Sequence, residues 1–210
     1  MSLAIALAAT KGGCGKSTLT ACLAVHAASD RTRVAIIDLD PQGSIRPWWK
    51  LRDAENPGLF TGITSLAEDI AFLKDNGWSY IFVDTPPGNI EIVEEAIASV
   101  DIALIPSRPS PVDILAMRPT IDACRNAGTP FAFIVNCYDP TWKISASAVG
   151  ALEIDGPVLP PPIHYRAAYT SAMTLGKTGP ESQDRKQAKA CKDEIAALWA
   201  SVLRAADGSQ

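Results

Sequence analysis

Short runs of aliphatic and β-branched residues recur along the chain, and their spacing limits the fold more than any other feature. Runs such as "LAIALAA" and "FAFIVN" are continuously apolar, as expected for strands of a parallel sheet that is covered on both faces. Helix-length amphipathic segments separate them. This alternation predicts an α/β fold, a three-layer sandwich with a mostly parallel, doubly wound sheet and right-handed crossovers. The predicted strands are residues 3–9, 33–39, 80–85, 101–106, 131–136 and 156–160, and the predicted helices are residues 16–29, 64–76, 89–99, 111–127, 144–152, 166–175 and 183–206.

Length and composition narrow the class of protein. A chain of 210 residues predicts one domain over residues 1–210, because a single core suffices at this size. No apolar run reaches the ~18 residues that a membrane-spanning helix needs. The five cysteines form no C-x-x-C pair. This pattern favours reduced cysteines in a cytoplasmic protein over cysteines that form disulfides or bind zinc or an iron–sulfur cluster. The net charge of −4 excludes a chain coated with basic residues.

A glycine-rich loop, "TKGGCGKST", follows the first predicted strand and opens the first predicted helix. Its three glycines allow a tight bend whose N–H groups face a phosphate, and the helix N-terminus adds its dipole. In such a loop Lys16 contacts the β- and γ-phosphates and the Ser17 hydroxyl ligates Mg²⁺. The sequence therefore predicts a phosphate-binding loop. The residues predicted to bind the nucleotide there are Gly12, Gly13, Cys14, Gly15, Lys16, Ser17 and Thr18.

The loop departs from the common pattern in two ways. A strict G-x-x-x-x-G-K-[ST] match fails because Thr10 stands where the first glycine is expected. A second lysine, Lys11, lies five positions before Lys16. From the loop alone, Lys11 is either a solvated loop residue or a cation for a different phosphate.

Two more predicted strands end in aspartate. The second ends in "IIDLDPQGS", with Asp38 and Asp40, and the third ends in "IFVDTPPGN", with Asp84. Ligands of open α/β sheets bind beyond the carboxyl ends of the strands, where a carboxylate can hold Mg²⁺ beside a triphosphate. One such aspartate could equally be a turn residue or a helix cap. Three of them beside the same loop predict a Mg²⁺–nucleotide site.

These motifs together resemble a known family. "KGGCGKST", "DLDPQ" and "VDTPPG", in this order and spacing, resemble the P-loop NTPases with a deviant Walker A motif of the ParA/MinD group. "DLDPQGSIRPWW", "ALIPSRPSPVD" and "YRAAYTSAMTLGKTGPES" are similar to the short, ParF-like members of that group. The resemblance covers almost the whole chain.

The resemblance implies a nucleotide-dependent switch. Members of the group bind ATP and Mg²⁺, form a homodimer with two ATPs between the subunits, and bind nonspecific DNA as that dimer. A ParB-type or adaptor partner then stimulates slow ATP hydrolysis and releases the DNA. The cycle distributes plasmids, chromosome origins or large protein assemblies over the nucleoid. Membrane cycling is not expected here, because the C-terminal segment "EIAALWASVLRAADGSQ" ends acidic and polar.

The resemblance also implies roles for single residues. Lys11 corresponds to the lysine that reaches the partner subunit's ATP, and it joins Lys16 and Asp40 as a predicted catalytic residue. Asp40 corresponds to the carboxylate that positions the attacking water. The implied metal-binding residues are Ser17, Asp38 and Asp84. Asn136 corresponds to an asparagine that hydrogen-bonds adenine, or it forms a turn, and Pro109 belongs to a proline-rich segment near the base and the dimer interface.

Candidate DNA contacts lie in the C-terminal third. Basic residues stand there where members of the group carry theirs, and contact with phosphates needs only a basic patch. A solvated helical face explains the same residues. The candidates are Arg166, Lys177, Lys186 and Lys189. The tandem Trp48 and Trp49 are expected in the core or at a dimer interface rather than stacked on DNA.

Two other functions use the same fold. An ATP-dependent ligase, of the cobyrinic acid a,c-diamide synthase or dethiobiotin synthase type, would need a substrate pocket, and amidating ligases generally carry a further glutaminase domain. An ATPase of the nitrogenase iron-protein type needs interfacial cysteines after the switch segments, and none of the five cysteines has a matching place. The ligase remains the alternative to a positioning ATPase.

Overall fold

One parallel sheet runs through the protein. The computed structural model describes residues 2–29 and 31–208, apart from the side chains of residues 144 and 146. The strands are β1 (Leu3–Leu7), β2 (Val34–Asp38), β3 (Gly58–Phe60), β4 (Tyr80–Asp84), β5 (Ile102–Ser107), β6 (Phe131–Tyr138) and β7 (Ile163–His164). Their order in the sheet is β3-β2-β4-β1-β5-β6-β7, and every pair is parallel. The predicted doubly wound α/β fold is confirmed.

Helices cover both faces of the sheet. They are α1 (Lys16–Ala27), α2 (Ile45–Arg52), α3 (Leu66–Asp75), α4 (Ile90–Ser99), α5 (Pro111–Leu115), α6 (Arg118–Ala127), α7 (Lys143–Glu153), α8 (Ala167–Met173) and α9 (Arg185–Ala206). None of these described helices is long and apolar enough to cross a membrane. The helix predicted over residues 111–127 is two helices, α5 and α6. The sequence patterns missed α2, which has Pro47 in its first turn, and β3, which has only three residues.

The strand predicted over residues 156–160 is wrong. In that segment Val158 forms only an isolated bridge with Phe133, and the strand that pairs beside β6 is β7, at Ile163–His164. The prolines explain the difference. Pro157 and Pro160 have no N–H group to donate to a ladder, so regular pairing resumes only beyond the proline run.

The two cores lie on opposite faces of the sheet. Ile5 and Leu7 of β1 pack toward α1 and α9, whereas Ala4 and Ala6 face the layer that includes α3, α4 and α6. Burial on both faces is why the strands read as continuous apolar runs. Trp48 belongs to the α1 side of the core, and its indole N–H donates to the carbonyl of Lys177 at 3.0 Å. The expectation that Trp48 packs inside the protein is confirmed.

The sheet register brings the functional motifs to one edge. Asp84, the last residue of β4, pairs in register with Leu7 at the end of β1 and with Asp38 at the end of β2. The phosphate loop follows β1 directly and leads into α1. The two aspartates and the loop therefore meet at the carboxyl edge of the central strands, where this fold class binds ligands.

Candidate nucleotide-binding site

The phosphate loop is shaped by glycines in left-handed conformations. Gly13 has φ +76° and Gly15 has φ +100°, a region that L side chains rarely adopt. Gly15 precedes the first residue of α1 and provides no side-chain cap, so the first N–H groups of the helix stay available to an anion. A cavity of about 270 Å³ opens at this point. Its lining residues are Gly12, Gly13, Gly15, Lys16, Ser17, Thr18, Asp40, Ser44, Thr85 and Pro87.

Asn136 supports the loop from behind. Its side-chain amide N–H donates to the carbonyl of Cys14 at 2.7 Å, and its side-chain oxygen accepts from the N–H of Cys137 at 2.9 Å. A Cβ on Gly15 would overlap the Asn136 side chain. The glycine is therefore required both by its backbone angle and by this close approach.

The side chain of Lys16, which is predicted to contact the phosphates, lies inside the phosphate loop. This side chain is buried, and its ammonium group donates to the carbonyl of Lys11 at 3.0 Å. This bond keeps the cation beside the cavity, and the ammonium group has no carboxylate partner in the part of the chain that the structure describes. An incoming phosphate can therefore take over the ammonium group by replacing one neutral acceptor.

Asp84 is a buried carboxylate with an incomplete set of partners. Its Oδ1 accepts from the Thr20 hydroxyl at 3.3 Å, and its Oδ2 has no hydrogen-bond partner among the described residues. Burial raises the pKa of Asp84 to about 7, a shift increased by the nearby Asp38 and opposed by Ser17 and Lys16. A buried oxygen without a partner is costly, and a bound cation would remove that cost.

Asp38 and Asp40 are held in a tight turn after β2. Asp38 Oδ1 accepts from the backbone N–H of Asp40 at 3.0 Å, and its Oδ2 accepts from Arg46 Nε at 2.9 Å. Burial raises the pKa of Asp38, and Arg46 opposes this shift. Asp40 Oδ1 accepts from the N–H of Gln42 at 2.9 Å, while Oδ2 lies 3.4 Å from the Ser44 hydroxyl. Asp40, unlike Asp38, lines the cavity of the phosphate loop.

These residues fit a Mg²⁺ ion. Oδ2 of Asp84 has no partner in the described ranges, and this observation points to a cation, since the carboxyl group is fully buried and its pKa is raised. Ser17 lines the cavity beside it, and Asp38 pairs with Asp84 in the sheet register. Hydroxyl and carboxylate oxygens are the hard donors that Mg²⁺ prefers, together with water and phosphate oxygens.

Lys11 lies outside the cavity formed by its own loop. Its ammonium nitrogen is 2.5 Å from Asp113 Oδ1 on α5, and its side chain is 37% exposed. Asp113 also accepts from the Ser110 hydroxyl at 2.6 Å. The two lysines of the loop thus have different environments, because Lys16 is buried beside the cavity and Lys11 is directed to a surface helix.

A second cavity, of about 280 Å³, continues from the phosphate loop toward β7 and α8. It shares Gly13, Gly15 and Thr18 with the first cavity and includes Asn136. Its other lining residues are Leu19, Arg108, Cys137, Ile163, His164, Tyr165, Arg166, Tyr169 and Thr170. Pro109, predicted near the base, is buried beside Arg108 but lines neither of these two cavities among the described residues. No local motif marks the tyrosines, so the sequence patterns could not find them.

Arg166 has a different environment from the other predicted DNA contacts. Its guanidinium donates to Glu194 Oε1 from Nη2 at 2.6 Å and from Nε at 3.0 Å. The buried Glu194 also accepts from the Tyr169 hydroxyl at 2.9 Å and lies 2.9 Å from His164 Nδ1. Burial, followed by the charge of Glu194, raises the pKa of Tyr169 well above its usual range. Arg166 therefore neutralises a buried carboxylate.

The three predicted lysine contacts are exposed. Lys177, Lys186 and Lys189 all have exposed side chains, and Lys189 pairs with Asp193 one helical turn away at 2.7 Å. Exposed pairs of this kind are weak, so Lys189 remains available to a stronger anion. The four predicted contacts thus divide into one structural arginine and three surface lysines.

Comparison with known proteins shows the family of the chain. Residues 5–178 match the CobQ/CobB/MinD/ParA nucleotide binding domain family. Maintenance of carboxysome distribution protein A from Halothiobacillus neapolitanus is 31% identical over 183 residues, 82% of this chain and 84% of that protein. Protein ParA from Rhizobium radiobacter is 30% identical over 185 residues, 82% of each chain. The solved septum site-determining protein MinD from Pyrococcus horikoshii, complexed with Mg-ADP, shares the fold with a TM-score of 0.80 at 18% identity, covering 100% of this chain and 99% of that one. The chain belongs to the CobQ/CobB/MinD/ParA family of nucleotide-binding domains.

Proposed function

We propose that the protein is an ATP- and Mg²⁺-dependent dimerising switch, a slow ATPase that binds nonspecific DNA and positions a large cargo. One observation supports it most directly. The phosphate loop has one lysine beside its own cavity and a second lysine, Lys11, directed away from that cavity. A dimer with nucleotides between its subunits requires a cation that can reach the partner's nucleotide, and Lys11 is such a cation.

Nucleotide binding follows from the cavity. The loop N–H groups and the start of α1 hold the phosphates, and Lys16 exchanges the Lys11 carbonyl for phosphate oxygens. Ser17, Asp38 and Asp84 would hold Mg²⁺, which offsets charge on the β- and γ-phosphates when bound. The nucleoside extends into the second cavity, beside Asn136. Asn136 would have to share its amide with the Cys14 carbonyl in order to contact adenine.

Hydrolysis is assigned to Asp40, Lys16 and Lys11. Asp40 lies at the cavity, and its carboxylate orients a water for attack on the γ-phosphate, giving ADP and inorganic phosphate. Lys16 stabilises the charge that develops on the phosphoryl oxygens. In the dimer, Lys11 leaves Asp113 and adds its charge to the partner's γ-phosphate, as an arginine finger does in trans.

The positioning role rests on the relatives. One is named for maintenance of carboxysome distribution and another is named ParA. We infer that ATP-bound dimers associate with nonspecific DNA through exposed lysines of the C-terminal third, and that a ParB-type or adaptor protein stimulates hydrolysis. The nucleoid is then the surface on which the cargo is distributed, and the protein acts in the cytoplasm.

Size-exclusion chromatography with light scattering, combined with a phosphate-release assay, tests the proposal. The wild type is expected to change from monomer to dimer with ATP and Mg²⁺. Lys11→Ala is expected to lose hydrolysis, while Lys50→Ala, an exposed lysine on α2, keeps it. Asp40→Ala is expected to bind ATP and to remain dimeric, because the γ-phosphate is not removed.

Two results would contradict the proposal. Unchanged turnover in Lys11→Ala would refute the cross-subunit role. A wild-type protein that stays monomeric with ATP, binds no DNA and consumes ATP only with an added carboxylate substrate would favour the ligase alternative.

A further inference from the structure

Arg46 holds the turn that carries the two aspartates after β2. It lies in the first turn of α2 and reaches back toward the sheet. Its Nε donates to Asp38 Oδ2 at 2.9 Å, and its Nη2 donates to the backbone carbonyl of Asp40 at 3.3 Å. One guanidinium thus binds the side chain of the first aspartate and the main chain of the second. The fork of donors on arginine suits such a double contact, which one ammonium group cannot reproduce.

Gly43 makes room for this contact. Its φ is +63°, and a Cβ at this position would lie 2.8 Å from Arg46 Cδ. Its N–H donates to the carbonyl of Asp40 at 2.8 Å, and its carbonyl accepts from the N–H of Arg46 at 3.1 Å. The turn is therefore closed by Arg46 from two directions, through the side chain and through the backbone.

Arg46 lies on the outer side of this turn. It lines a separate cavity of about 290 Å³, together with Asp38, Thr64 and Glu95. The phosphate-loop cavity is lined by Asp40 and Ser44 from the same turn, and Arg46 is not among its described lining residues. Arg46 therefore reaches the edge of the phosphate cavity through its contacts with Asp38 and Asp40.

The charges explain why the contact is maintained. The Asp38 side chain is fully buried, whereas that of Arg46 is 39% exposed. Removing the guanidinium would leave the Asp38 carboxylate buried with the Asp40 N–H as its one donor among the residues that the structure describes, which is unfavourable. The carboxylate would then rotate or draw in water, and the Asp40 backbone would lose one of its restraints.

We propose that Arg46 is a positioning residue for ATP hydrolysis, which acts by fixing the Asp38–Asp40 turn so that the Asp40 carboxylate faces the γ-phosphate position. The effect of Arg46 on the rate of ATP hydrolysis rests on the proposed function. The structural part of the inference, the clamp on the turn, is independent of any reaction.

Hydrogen exchange measured by mass spectrometry tests the clamp directly. Arg46→Gln keeps most of the side-chain length and removes the charge. Peptides covering residues 38–44 should exchange roughly tenfold faster, since a charge-assisted hydrogen bond is lost, while peptides from β1 and β4 stay unchanged. Lys50→Gln removes the same charge from the same helix and is the control, with exchange as in the wild type. Unchanged exchange over residues 38–44 in Arg46→Gln would refute the clamp.

Steady-state kinetics test the consequence for hydrolysis. In Arg46→Gln, kcat should fall by roughly tenfold or more, because a small misplacement of a catalytic group is costly. The affinity for fluorescent ADP, measured in EDTA so that Mg²⁺ binding through Asp38 does not contribute, should change by less than about twofold. Arg46→Lys should restore part of kcat through its contact with Asp38.

The kinetic results distinguish the positioning role of Arg46 from the proposed ATPase function. An unchanged kcat, or a loss of ADP affinity as large as the loss of kcat, would refute a positioning role. A wild-type protein without ATP hydrolysis would refute the proposed function, and the exchange measurement would then still decide whether Arg46 clamps the turn.

Discussion

The metal-free protein should become more stable at alkaline pH when Asp84 is replaced by asparagine. The Asp84 carboxyl is fully buried, one oxygen has no partner among the described residues, and burial raises its pKa from 3.8 to about 7. The folded protein therefore holds this proton more tightly than the unfolded chain does. As the pH rises from the pKa of Asp84 in the unfolded chain to its pKa in the folded protein, the free energy of unfolding of the wild type falls. Above about pH 7 this decrease is complete.

The size of this loss follows from the shift. About three pKa units at about 1.4 kcal/mol each correspond to about 4 kcal/mol at alkaline pH. Only about 1.5 kcal/mol of this loss is present at about pH 5, which lies well below the pKa of Asp84 in the folded protein. Asp84→Asn carries no such proton, although its amide nitrogen is buried without an acceptor at a cost of about 1–3 kcal/mol at every pH. The stability of the variant relative to the wild type should thus increase by about 2.5 kcal/mol between about pH 5 and about pH 8.5.

Urea unfolding followed by tryptophan fluorescence in the presence of EDTA measures this difference. Asp122→Asn, which makes the same substitution at an exposed position of α6, is the control. Magnesium and ADP should reverse the order of stability, since a ligand at about 1,000 times its Kd stabilises the protein that binds it by about 4.1 kcal/mol. A difference in the free energy of unfolding between Asp84→Asn and the wild type that does not change with pH would contradict a raised pKa of Asp84.

Three further predictions address the loop and the basic residues. Gly15→Ala should weaken ADP binding in calorimetry by roughly tenfold or more, because a Cβ overlaps Asn136 and the φ of +100° is unfavourable; binding like that of the wild type would contradict the role of this close approach. Arg166→Ala should lower the free energy of unfolding by about 1.5–3 kcal/mol, since it leaves the buried Glu194 without its cation. Lys186→Glu should change stability by less than about 0.5 kcal/mol but weaken ATP-dependent DNA binding in a gel shift, and a shift that is unaffected by it would count against a basic contact surface on α9.

Several features of the site could be predicted from local sequence. Continuous apolar runs identified β1, β2, β4, β5 and β6 because strands buried on both faces have no polar alternation. The phosphate loop was predictable because glycines and a following helix are local requirements of its shape. Asp38 and Asp84 could be expected near this loop because parallel strands bring their carboxyl ends to one edge. In each case the hydrophobic pattern or the position of a strand end was sufficient for the prediction.

Other features depend on which distant groups meet. Asn136 contacts Cys14 across 122 positions of the chain, and Arg166 contacts Glu194 across 28; neither contact has a local signal. In sequence, Arg166 was one of four similar basic residues. Only its approach to a buried carboxylate distinguishes it from the exposed Lys186.

Burial patterns and glycine conformations act over a few residues, so the parallel sheet, the phosphate loop and the edge of the sheet beside that loop could all be predicted from sequence. How the charges of the site are partnered is visible only in the folded protein. Lys11 contacts Asp113 and Arg46 clamps the Asp38–Asp40 turn, whereas Asp84 keeps an oxygen without a partner among the described residues. The physical reason is that the energy of a charged group depends on its burial and on the atoms within a few ångströms, and folding brings those atoms from separate parts of the chain.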